Sequence, residues 1–233
     1  MKARLLFALF FASLAFDAWR IGGRLDVWMI PAAFAGWYVA DFFSGVVHMY
    51  MDYHPCTPGN GLKEIYFWEG SRDTAAFAAK QAEVYARISL FERIVYDFKK
   101  HHPMPDLLGR HPLFHLMKAP TFLVVLPLSL AFNLLLLFWK APGWLILAVM
   151  ILFVGSSLTQ YFHGTLHRTR TCFMVRHMRR LGLLISLEGH QAHHATLVQD
   201  FSVISGWSNP VVNRLTNFLL RRGWINEAGL EPS

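Results

Sequence analysis

Apolar residues in this chain gather into long blocks whose polar interruptions are few. Three blocks, residues 27–51, 120–139 and 143–162, reach or approach the ~20 mainly apolar residues that a helix needs to cross a bilayer. A shorter block, 4–19, has Lys2 and Arg4 at its start and is interrupted by Asp17. It reads as a first span. A cleaved signal would share its basic start, but Asp17, Phe16 and Trp19 fit a cleavage region poorly. Over Thr74 to Phe98 the pattern becomes amphipathic: Phe77, Val84, Ile88, Phe91, Val95 and Phe98 recur at helical steps, with Lys80, Arg87 and Arg93 off that stripe. This segment is expected to lie against lipid headgroups, the alternative being a helix packed within a cap. The turn "HPCTPGNG" (54–61) breaks the chain before it. There is no internal repeat.

Lysine and arginine asymmetry orients the spans. Arg168, Arg170, Arg176, Arg179 and Arg180 follow the last block, whereas the turn Lys140-Ala141-Pro142 carries one charge. The expectation is an all-α, polytopic, integral membrane protein of about four transmembrane helices. Residues 52–118 and 163–233 would form a cytoplasmic, histidine-rich helical cap of one domain, 1–233, in a bacterial inner membrane or an endoplasmic-reticulum-like one. Composition agrees: 54% of residues are hydrophobic and 16% charged, against the quarter or so charged in soluble domains. The net charge of +7 lies beside apolar runs, which reads as membrane-surface charge, not nucleic-acid binding. Cys56 and Cys172 form no metal or disulfide spacing.

The histidines change the picture. Under that topology His48, His101, His102, His111, His115, His163, His167, His190, His193 and His194 all fall on one side of the membrane. Residues three or four apart share a helix face, so His163 and His167 can address one ligand site. His190 and His194 form a second such pair, while His193 points about 100° from His194, so one helix can serve two neighbouring metals. His101 and His102 repeat the adjacent pair, and His48 has Asp52 one turn on. The clustered histidines number about twice the three or four ligands of a single zinc, which argues for two metals. Imidazole suits iron, copper and zinc alike. His54, His115 and His177 belong to no cluster and are not expected to bind metal. Asp41, Ser44, Gly45, His48 and Asp52 make a polar stripe down the second span. Because intramembrane charge is costly, Asp41 is expected either to orient a ligand histidine or to make a polar helix contact.

The stretches "ADFFSGVVHMYMD" (40–52), "FKKHHPMPDLLGRH" (98–111), "TQYFHGTLH" (159–167) and "GHQAHH" (189–194) with "FSVISGWSNP" (201–210) together resemble the membrane lipid desaturases of the plasmanylethanolamine desaturase, CarF and Kua family. That family also includes the plant desaturase of palmitate in phosphatidylglycerol. The resemblance implies metal ligation by His48, His101, His102, His111, His163, His167, His190, His193 and His194. It also implies catalytic roles for Asp52, His48 and His102. It further implies a centre of two iron ions, dioxygen as co-substrate, a membrane phospholipid substrate and an external electron donor of cytochrome b5 or ferredoxin type. The expected reaction makes a double bond near the head-group end of a lipid chain, converting plasmanyl (1-O-alkyl) lipid to a plasmalogen vinyl ether. An acyl-lipid desaturase and a lipid hydroxylase share the same centre. Alternatives of other classes are a ceramidase-like zinc hydrolase using Ser44, His48, His163 and His167, and a metal carrier. Two departures from the animal enzymes bear on substrate: the interval from His48 to His101 is longer, and Gly189 stands where they carry a histidine.

Overall fold

The computed structural model describes residues 1–23 and 26–232. Among these the chain is all helical, without strands. Four long segments form the body: α1 (Lys2–Ile21), α2 (Met29–Tyr53), the continuous run of α7 (Leu113–Pro120), a π-helical turn (Thr121–Val125) and α8 (Leu126–Phe138), and α9 (Gly143–Leu166). Met29–Tyr53, Leu113–Phe138 and Gly143–Leu166 are long and apolar enough to cross a membrane. The segment expected as the first span is also helical, but Lys2, Arg4, Asp17 and Arg20 make it less apolar than these three. The third span begins at Leu113 rather than residue 120. Pro120 and Pro127 bracket the π-helical turn, as expected where missing N–H donors shift the ladder.

Side-chain pairings give the helix directions. The Phe7 and Phe122 rings lie 4.7 Å apart between centroids, Ser13 Oγ donates to Asn133 Oδ1 at 3.0 Å and Arg20 donates to the Trp139 carbonyl at 3.1 Å, so α1 runs parallel to α7–α8. A Cβ on Gly36 would meet the Ala148 carbonyl at 2.2 Å, and one on Gly155 would meet Ala40 Cβ at 2.8 Å. Hence α2 and α9 are parallel and touch backbone to backbone. The result is an up-and-down bundle in which the C-terminal ends of α2 and α9 emerge together.

At that end sits the cap: α3 (Leu62–Tyr66), α4 (Ala75–Arg87), α5 (Leu90–Lys100), α6 (Pro105–Gly109), α10 (Phe173–Arg180), α11 (Leu187–Thr196) and α12 (Asn209–Arg221), followed by a 3-10 turn (Glu227–Gly229). The amphipathic stretch Thr74–Phe98 is two helices, not one. Ile88 is extended, and the Ser89 hydroxyl caps α5 by accepting from Glu92 N at 3.1 Å. Phe77, Val84 and Val95 turn inward on Leu62, Ile65, Tyr66 and Tyr96. Most of the apolar stripe thus packs inside the cap, although Phe91 stays exposed, and the packed alternative replaces the lipid-facing one.

Gly36→Val should lower the thermal midpoint in detergent, by an overpacking cost of about 1–3 kcal/mol. Ala35→Val, at an exposed position one residue away, should leave it unchanged.

Candidate metal centre

Four elements bring the clustered histidines together. The last turns of α2 supply His48 and Asp52, the end of α5 supplies His101 and His102, the end of α9 supplies His163 and His167, and α11 supplies His190, His193 and His194. Their donor atoms fall into two adjoining groups. His101, His163, His167, His190 and His194 form one; His48, Asp52, His102 and His193 form the other; within each, one donor atom per residue lies within 4.8 Å of all the rest. Around α11, His190 and His194 face one group while His193 faces the other. His48 bridges them, with ring centroids 5.1 Å from His163 and 4.7 Å from His193.

Backbone carbonyls hold several rings from behind. His48 Nδ1 lies 2.9 Å from the Phe201 carbonyl, His193 Nδ1 lies 2.7 Å from that of Gln199, and His101 Nδ1 contacts that of Phe98. A proton on each Nδ1 makes these hydrogen bonds and leaves the Nε2 lone pair facing inward, the arrangement typical of metal-bound imidazole. Inside, partners are lacking. His48 Nε2, His101 Nε2, both nitrogens of His163, His190 Nδ1 and both oxygens of Asp52 are buried without a hydrogen bond. Such orphans are rare in proteins and call for an explanation. The Asp52 Oδ2 has three imidazole Nε2 atoms around it, His48 at 3.3 Å and His102 and His193 at 3.5 Å. His190 Nε2 lies 3.1 Å from the Nε2 atoms of both His167 and His194. Inward lone pairs at that separation repel unless a proton or a cation lies among them. The residues therefore fit a pair of bound metal ions: imidazole-rich, neutral, dry, and with one buried carboxylate for charge.

Burial favours the neutral form of five imidazoles of the two groups. Desolvation, reinforced by neighbouring imidazoles, pushes His101, His102 and His190 well below their ordinary 6.5, His167 down to about 4 and His194 down to about 3.

Two supports were not evident from the sequence. Asp41 touches no histidine. Its Oδ1 accepts from the backbone N–H groups of Ile204 (3.2 Å), Ser205 (2.7 Å) and Gly206 (3.0 Å), and its Oδ2 from Ser208 N (2.9 Å) and Ser208 Oγ (2.7 Å). It thereby binds the buried loop 201–208 to α2, and this loop presents the Phe201 carbonyl to His48. The reading of Asp41 as a direct ligand-orienting group gives way to a longer chain of support. Gly45 admits the loop, since a Cβ there would meet Ser202 Oγ at 2.3 Å. Lys99, fully buried, donates to the carbonyls of Asp52, Met51 and Gly229. A cation at the C-terminal end of α2 suits the helix dipole, and it ties α5, with His101 and His102, to the helix that carries Asp52. The signal was an apolar stretch ending in "FKKHH", but nothing local says which lysine turns inward.

His111 is not brought into either group. It is exposed and stacks on His115 at 4.3 Å between ring centroids, while its carbonyl accepts from Arg168 at 2.6 Å. His54 rests against Phe91, and His177 stacks on Phe173. Ser44 Oγ donates to the Asp41 carbonyl at 2.7 Å and accepts from Val203 N at 3.3 Å, so it serves the loop rather than the centre.

A helical bundle whose span ends carry two adjoining histidine clusters defines a membrane-associated class with donor groups able to hold metal. The family model described as "Lipid desaturase domain" matches residues 85–228, and the chain belongs to the lipid desaturase family. It is 27% identical over 203 residues to "Fatty acid desaturase 4-like 2, chloroplastic" of Arabidopsis thaliana, covering 82% of this chain and 58% of that relative. The chain thus spans little more than half the length of that curated relative. No solved structure matches. His48 and Asp52 lie before the matched family region, and the fold is what joins them to it.

In metal-free protein these depressed histidines should make stability fall with acid. The unfolded chain takes up protons near pH 6.5, the folded chain only at lower pH, so the contribution is full above about 6.5 and is lost on descending towards 4. Thermal unfolding of chelator-treated protein between pH 7.5 and 4.5 checks this. Asp41→Ala should cost about 3–5 kcal/mol by orphaning buried donors, read by the same melts.

Proposed function

We propose that this chain is a multi-pass membrane enzyme that desaturates a glycerophospholipid chain with two irons, dioxygen and an external electron donor of cytochrome b5 or ferredoxin type. The observation that carries the reading is the pair of donor groups at one end of the bundle, five residues and four, most of them buried with inward nitrogens lacking partners. The cap and the site lie on the cytoplasmic side in this reading, following the arginines after α9.

His101, His163, His167, His190 and His194 would hold one metal, and His48, Asp52, His102 and His193 the other. Bound there, iron supplies the dioxygen activation and redox steps that remove two hydrogens from adjacent carbons. Two hydrogens from the lipid account for half of the electrons needed to reduce dioxygen to two waters; the donor provides the other two. The protein's own part is position and dryness. Asp52 brings the one carboxylate among the donors, and with His48 and His102 it lines the smaller group. Phe98 and Phe201 lie against His48, at 5.5 and 5.9 Å between ring centroids, and exclude water. A site at the ends of the spans receives a lipid chain from the bilayer without passage through water and favours carbons near the head group.

For the substrate we propose a plasmanyl lipid, dehydrogenated next to its ether oxygen to a vinyl ether, as in the plasmanylethanolamine desaturase branch of the family. The name of the plant relative favours a second reading, an acyl chain. A zinc hydrolase using Ser44 is disfavoured, because that hydroxyl is committed to the loop 201–208.

Protein purified in mild detergent should contain about two irons per chain. Stoichiometric zinc without iron would overturn the reading in favour of hydrolysis. His190→Ala and His194→Ala should lose at least half the iron and essentially all activity, whereas His111→Ala and His115→Ala should keep both. Expression in a host fed 1-O-alkylglycerol should yield acid-labile vinyl ethers; a new acyl double bond instead selects the second substrate, and an added oxygen identifies a hydroxylase.

A further inference from the structure

Helix α10 has three distinct sides. At 3.6 residues per turn, Phe173, Met174, His177 and Leu181 fall within roughly 100° of one another. Phe173, Met174 and Leu181 are 72%, 62% and 61% exposed, an apolar stripe left uncovered among the described residues. The opposite side packs on the spans. Val175 is fully buried, Met178 lies against the cluster that includes Trp37 and Phe162, and Arg179 donates to Thr165 Oγ1 at 2.8 Å. On the third side Arg176 and Arg180 are exposed and have no partner among the described residues.

The surroundings place this helix at the flank of the bundle. Trp37 Nε1, from within α2, donates to the Leu183 carbonyl at 2.9 Å just after α10. Beside that bond a groove of about 220 Å³ is lined by Ala33, Phe34, Trp37, Ile151, Met178 and Leu183, side chains from both spans and the α10 segment and all of them apolar. Such a groove suits hydrocarbon, and it is lined in part by Met178 of the helix that carries the two unpaired arginines.

We propose that α10 is an interfacial anchor. Its Phe173, Met174 and Leu181 face enters the acyl region, while Arg176 and Arg180 hold the phosphates of anionic phospholipids in the surrounding bilayer. An apolar side flanked by arginines is the composition of helices that lie in the membrane plane, and basic side chains there gain from negative surface potential. The anchor would fix the depth of the segment leading from His167 to α11, and so the height of the metal centre above the bilayer. The inference needs the spans to be in a membrane but does not depend on the identity of the metal or the reaction.

Cys172 provides the probe. It caps the start of α10 and is exposed, whereas Cys56 is buried. The Val175 N–H holds its thiol below the ordinary range, which favours selective labelling. The metal-loaded full chain, spin-labelled at Cys172, is placed in nanodiscs of phosphatidylcholine alone or mixed equally with phosphatidylglycerol. Collisions with oxygen should exceed those with a water-soluble nickel chelate, and nickel protection should be greater in the mixed discs. Arg176→Gln with Arg180→Gln should abolish that dependence on anionic lipid, lowering protection in mixed discs about threefold. Phe173→Glu with Leu181→Glu should raise nickel access in both discs while metal content, the check on folding, is retained. If the Cys172 label meets nickel as often as a label on Ser71→Cys in the exposed cap of a Cys172→Ser background, the anchor is refuted. Protection that is indifferent to lipid charge and to both arginines would overturn the anionic-headgroup assignment.

Discussion

The parallel contact of α2 with α9 is the constraint on which the rest depends. Gly36 against Ala148 and Gly155 against Ala40 let two backbones meet where any larger residue would force them apart. Two helices fixed at that distance and register deliver His48 and His163 to the same height, with rings 5.1 Å apart. A shift of one residue along either helix would move a donor by ~1.5 Å and turn it by ~100°, enough to take it out of its group. Small residues in the middle of the spans thus determine chemistry at their ends.

The centre is built against an electrostatic preference. Eight imidazoles and one carboxylate are removed from water with few partners for their inward atoms, an arrangement that costs free energy until a cation satisfies it. The surrounding protein opposes collapse by fixing three of the rings from outside. The carbonyls of Phe98, Gln199 and Phe201 face His101, His193 and His48. Asp41 holds the loop that carries one of these carbonyls, and Lys99 holds α5 to the end of α2. Leu197 and Asp200, with positive φ of 56° and 60°, mark the sharp reversal that brings Gln199 to His193. Backbone strain of this kind persists where surrounding structure over-determines it, and here it surrounds a functional loop.

The long helices set the position of His48 and His163, and the cap brings the remaining donors to them. Helices α4 and α5 turn most of their apolar stripe inward on α3, whereas α10 leaves one outward. The two amphipathic segments look alike in composition but do different work.

What the sequence by itself determined is what neighbouring residues determine. The long apolar blocks become helices, because a segment in hydrocarbon has to satisfy its own backbone. The separation of His193 from His190 and His194 around α11 follows from helix geometry alone, as does the placing of Asp52 one turn beyond His48. The break at Ile88 was partly legible as well, since Ser89 is a residue type that caps a helix start and does accept from Glu92 N, although the periodicity running through it concealed two helices as one. Tertiary structure decided the rest. It set His111 aside, turned Lys99 inward, and gave Asp41 a loop more than 160 residues away in place of a nearby histidine. Helical periodicity is a property of adjacent residues. Which carbonyl or N–H faces a side chain across the bundle depends on the register of packed helices, and no local stretch of sequence contains that register.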